Sequence, residues 1–103
     1  MNKLEICNDV IDHWVTNLCC LYAGQHDEVS MRASKCALCR QFGPNDCRGC
    51  PLLHVNMQCM RVGSRYAITR RALLNGDKRS RKIQACERMI HTLEHACDYW
   101  MDL

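Results

Sequence analysis

The chain predicts an all-α fold: a small helical bundle whose two long amphipathic helices are joined through a cysteine-rich connection. Two observations carry this. Leu4, Cys7, Ile11, Trp14, Leu18 and Leu21 recur at spacings of 3, 4, 3, 4, 3, and Ile83, Cys86, Ile90, Leu93, Cys97 and Trp100 repeat the same pattern near the other end. Spacing of that kind places apolar residues on one stripe of an α-helix. Between the two stripes, the stretch KCALCRQFGPNDCRGCPL holds four cysteines as two C-x-x-C pairs.

The first helix is expected over about residues 3–23, with Gly24 as its stop. Val10 and Val15 widen its apolar face, and Met89, Ala96 and Met101 do the same for the last helix, expected over about 78–101. A shorter helix is expected over about 64–74, with Ser64 as N-cap and Asn75-Gly76 as its end. Tyr66, Ala67, Leu73 and Leu74 are its candidate core residues, and a further short helix is open around 52–61. Residues 24–35 read as a loop. The pattern leaves the pairing direction of the long helices open, antiparallel being the commoner geometry in small bundles. At 103 residues the chain is one domain, 1–103. With one Phe, two Trp and three Tyr its core is thin, and a covalent or metal staple would help it.

The opening MNKLEICNDV has no leader pattern, and no apolar run approaches the roughly 18 residues of a membrane span. These points place the chain in a cytosol, off the membrane. In a reducing compartment, ten cysteines argue for metal ligation over disulfides. Cys36, Cys39, Cys47 and Cys50 are the candidate ligands, in a knuckle spanning 36–50. Gly43, Pro44, Asn45 and Asp46 supply a tight reversal between the pairs, and Pro51 keeps a helix from running through the last ligand. Four thiolates suit one tetrahedral zinc at about 2.3 Å per bond, a closed site with no position for substrate. The same ligands also serve iron–sulfur clusters. His54 and Cys59 stand just beyond as spares. Cys7, Cys86 and Cys97 read as small core residues. The adjacent Cys19 and Cys20 cannot both face inward, so one is a candidate reactive thiol.

The run CALC…CRGCPL, followed by a basic segment with one Tyr and a C-terminal amphipathic helix, resembles small bacteriophage-encoded proteins with a C-x-L-C…C-x-x-C-P-L motif. Most are uncharacterised, and the specific match covers about a sixth of this chain. The resemblance implies a zinc knuckle and a phage origin, hence the cytoplasm of a host cell. It implies no activity.

One catalytic motif occurs. HTLEH, residues 91–95, matches the inverted zinc-protease signature H-x-x-E-H. Ile90 and Leu93 at apolar positions put His91 and His95 on the outer face, and only eight residues follow for a further ligand. No phosphate-binding glycine loop and no nucleophile elbow appears, so no enzyme is expected.

The formal charge of +3 hides an asymmetry. In residues 61–88, Arg61, Arg65, Arg70, Arg71, Lys78, Arg79, Arg81, Lys82 and Arg88 stand against Asp77 and Glu87, a net of +7. Residues 1–35 carry −2. The run DKRSRK opens the last helix, where cations oppose the helix dipole. A rule broken without visible gain marks a candidate binding surface, made of Arg65, Arg70, Arg71, Lys78, Arg79, Arg81 and Lys82. The function expected is therefore a non-catalytic zinc-containing binding module, a phage accessory protein that binds and modulates a host protein. The alternative is a nucleic-acid-binding protein using segment 61–82. A homodimer through the helix faces is also open.

Overall fold

The computed structural model describes residues 2–25, 29, 36–45, 48–55, 64–74 and 78–103. Among them every regular element is helical. Asn2 starts the first helix, α1 (Lys3–Tyr22): its Oδ1 accepts from the Glu5 N–H at 2.8 Å. That bond satisfies one of the amides a helix start leaves open. The helix ends in a Schellman motif at Gly24, whose φ of +77° suits a residue without a Cβ. The Gln25 N–H donates to the Cys20 carbonyl at 2.8 Å and the Gly24 N–H to that of Leu21 at 3.2 Å.

The second long helix, α5 (Arg79–Met101), packs along α1 in the antiparallel sense. Three contacts fix this. Lys3 Nζ donates to the Trp100 carbonyl at 3.0 Å, the Cys86 thiol to the Trp14 carbonyl at 3.4 Å, and Arg79 Nη1 to the Tyr22 carbonyl at 3.4 Å. Lys3 also lies over the Trp100 ring, 5.6 Å from its centroid.

The buried seam runs through Cys7, Val10, Trp14, Asn17 and Leu21 on α1 and Cys86, Met89, Leu93 and Ala96 on α5. This corrects the expected stripe by part of a turn. Leu4, Val15 and Met101, expected inside, are exposed at 55%, 40% and 47%. Ile11, Leu18, Ile83, Ile90 and Trp100 flank the seam half-buried. The heptad spacing marks one apolar stripe, whereas the buried line on α1 also takes in Val10 and Asn17, beside Trp14 and Leu21. Asn17 is buried in the midst of this seam, and no buried side-chain nitrogen or oxygen among the described residues lacks a partner.

Three shorter helices dress this pair. The first, α2 (Ala37–Phe42), buries Ala37 and Leu38 and is followed by a 3₁₀ turn, Gly43–Asn45. Phe42 meets Trp100 edge to face at 5.6 Å, and Arg40 Nη2 pairs with Asp9 Oδ2 at 2.6 Å. The pair is half in solvent, so it orients α2 more than it stabilises it. Gly49 has φ +83°, and a Cβ there would stand 3.4 Å from the Phe42 ring. The next helix, α3 (Leu52–Val55), is a single turn starting directly after Pro51; residues 56–61, where a longer helix was open, lie outside the described residues.

The last of the three, α4 (Arg65–Leu74), matches its expected bounds, and Ser64 Oγ accepts from the Ala67 N–H at 3.0 Å as an N-cap. Its expected core is only partly right. Tyr66, Ala67 and Leu73 are half-buried, while Leu74 is exposed at 60%. The residue sealed against α5 is Thr69, whose hydroxyl lies 2.7 Å from the Arg65 carbonyl and 3.5 Å from that of Ala85. A threonine that returns its hydroxyl to its own helix hides its polarity and packs like a small apolar residue. No helix among the described residues is long and apolar enough to cross a membrane.

Candidate metal centre

Two of the predicted ligands come from the start of α2. Cys36 is its N-cap residue, with extended φ −97° and ψ 122°, and its carbonyl accepts from the Arg40 N–H at 3.0 Å. Cys39 sits in the first turn, so the C-x-x-C spacing returns its sulfur to that of Cys36. The Cys39 thiol hydrogen-bonds Cys36 and, against the cost of burial, lowers the Cys36 thiol to about 6. The Cys39 and Leu38 amides of the first turn and the Arg40 charge push the same way. Both cysteines are half-buried. A thiol that ionises readily, with a second sulfur beside it, has the donor chemistry that thiolate metal sites use.

Cys50, the third, is buried at the turn into α3, its carbonyl accepting from the Leu53 N–H at 3.0 Å. It stands close enough to Cys97 for its charge to be felt there. Cys97 lies on α5, hydrogen-bonded to Cys7 of α1, and burial above all pushes its thiol well up. Cys50 thus neighbours a second set of thiols, Cys7 and Cys97, which the sequence pattern assigned to the core. Cys47, the fourth predicted ligand, and the spare Cys59 lie outside the described residues. Among the described residues, no three Cys, His, Asp or Glu side chains converge in a way that holds a metal ion. Cys36 and Cys39 are brought together at the start of α2, while Cys50 stands beside Cys97 of α5.

No family model, curated protein or solved structure matches the chain.

The other sequence-predicted residues fall on the surface. Arg70, Arg71, Lys78, Arg79 and Arg81 are exposed, while Arg65 and Lys82 are half-buried. They occupy α4 and the first turn of α5, whose N-cap, Lys78, offers no side-chain acceptor to the open amides. Arg79 is engaged with the Tyr22 carbonyl, at the end of α1. His91 and His95 are both exposed, as their positions predict. Of the adjacent pair, Cys19 is exposed and Cys20 half-buried.

Proposed function

We propose that the chain is a non-catalytic, zinc-containing binding module: a phage accessory protein that works in the host cytoplasm by binding and modulating a host protein. The arrangement at the start of α2 supports the metal most directly. Cys36 and Cys39 share a hydrogen bond there, and Cys50 opens the neighbouring helix α3. The donor chemistry fits zinc: Cys36, Cys39, Cys47 and Cys50 would hold the ion, and four thiolates leave it no place for substrate. Its role is to hold the ends of the 36–50 connection together beside the helix pair, on which α2 already packs through Ala37, Leu38 and Phe42. The surface that binds is the basic face of α4 and the start of α5.

Elemental analysis of purified protein tests the metal, with about one zinc per chain expected. Cys39→Ser and Cys47→Ser should each release it and loosen residues 36–50, seen as new amide-exchange or protease sensitivity there, while the α1/α5 pair persists. Protein without metal, or with iron in place of zinc, overturns the assignment.

A further inference from the structure

A groove of about 430 Å³ lies between the start of α4 and the middle of α5. That falls within the roughly 300–1,000 Å³ of small-molecule sites. On the α5 side its lining follows the helical repeat: Gln84, Glu87, Arg88 and His91 are at i, i+3, i+4 and i+7, with Thr92 beside them. Arg65, the first residue of α4, forms the facing wall. Buried Thr69, contacting the Ala85 carbonyl, seats α4 on α5 one turn further on.

The chemistry of this lining is selective. Arg65 and Arg88 present guanidiniums from two different helices, and neither makes an ion pair among the described residues. Two forks from opposite walls match a group with three or more acceptor oxygens better than a carboxylate with two. Glu87 is the one carboxylate, and it disfavours a run of phosphates while accepting from a hydroxyl. Thr92 donates to the Arg88 carbonyl at 3.0 Å, leaving its oxygen as an acceptor. Gln84 both donates and accepts. The lining contains no large apolar residue and no Phe, Tyr or Trp, His91 being its one ring. Nor is it a metal site, since no third ligand joins Glu87 and His91 among the described residues.

We propose that this groove binds a phosphate monoester on a hydroxylated body, a sugar phosphate in chemical class. Arg65 and Arg88 hold the phosphate, while Glu87 and Gln84 take the hydroxyls. The site is separate from the thiol corner and shares Arg65 with the basic face of α4.

The test is a titration of the full-length protein with ribose 5-phosphate, followed by amide chemical shifts. Inorganic phosphate, ribose, gluconate and a phosphoserine peptide serve as comparisons. Saturable shifts confined to residues 65–69 and 84–92 are expected, with weaker response to inorganic phosphate and none to ribose. R65Q and R88Q should each weaken ribose 5-phosphate about tenfold or more while the circular dichroism stays unchanged. E87Q should narrow the advantage of ribose 5-phosphate over inorganic phosphate. Absence of saturable shifts, equal binding of gluconate, tighter binding of the phosphopeptide, or indifference of both arginine variants overturns the proposal.

Discussion

Cysteine shows most clearly how one residue type takes different roles from its surroundings. Cys36, half-buried at the start of a helix and hydrogen-bonded by Cys39, has its thiol lowered to about 6. Cys86, sealed in the seam and donating to the Trp14 carbonyl, is pushed up to about 12 by burial and, secondarily, by the Glu87 charge. The thiolate is the nucleophile, so alkylation of metal-free protein should discriminate between them. Cys36 should react with a midpoint near pH 6 and Cys86 should stay protected at neutral pH, as read by mass spectrometry of short iodoacetamide pulses. Equal labelling of both in the folded chain would contradict this assignment. Stability follows with opposite signs. Unfolding restores both thiols to the ordinary value of 9.0. Above pH 9 the unfolded chain therefore sheds the Cys86 proton that the folded chain keeps, and stability drains away between about 9 and about 12. Cys36 stabilises the metal-free fold fully only above pH 9, and its share is lost as pH falls through about 6. Denaturant midpoints across this range should decline at alkaline pH.

At the scale of elements, the seam has a sharp test. Leu93 is fully buried between the long helices, so Leu93→Ala should cost about 2–5 kcal/mol. His91 and His95, both exposed on the same helix, should change stability little when replaced together by Ala. Thermal melts of the two variants beside the parent decide it, and an unchanged Leu93→Ala melt would refute the packing described. The bounds of α1, α4 and α5 were legible in the sequence because caps and periodicity act locally: Asn2, Ser64 and Gly24 work where they stand. The exact seam was not. Leu4 carries the heptad spacing yet lies outside, while Asn17 breaks it and lies inside, because burial depends on how closely the partner helix approaches. The approach of Cys36 and Cys39 was legible as spacing alone. The proximity of Cys50 to Cys97, 47 positions away, has no local signal, and neither has the facing of Arg65 and Arg88 across a groove. Those are products of how α3 and α4 dock on α5.

For the whole molecule, the antiparallel pairing of α1 and α5 accounts for part of the misplaced charge. Each long helix begins with a cation, against its own dipole, yet each of those cations reaches a carbonyl at the opposite helix's end: Lys3 that of Trp100, Arg79 that of Tyr22. Lys78 and Arg81 are left exposed at the start of α5, with Arg70 and Arg71 on α4. Whether this surface meets phosphates or an acidic protein is decided by Arg79→Glu/Arg81→Glu/Lys82→Glu beside the parent, in a salt titration on a short duplex and a single strand. Phosphate contacts make affinity fall with salt at a slope of about 0.9 per phosphate neutralised, and the triple variant should then lower that slope by up to about three. A protein partner predicts weak or absent binding to nucleic acid, and one host protein whose capture is lost on charge reversal. Tyr66 is the one aromatic residue of segment 61–82, and it packs half-buried against the core, which leaves no ring there for bases to stack on. We therefore expect the parent to ignore both nucleic acids even at low salt. The variant should fold: Arg79 and Arg81 are exposed, and the 3.4 Å bond of Arg79 is worth about 1 kcal/mol at most. Tight, salt-steep binding of duplex by the parent would reverse the choice of partner, and a collapsed melting temperature in the variant would make the basic face structural.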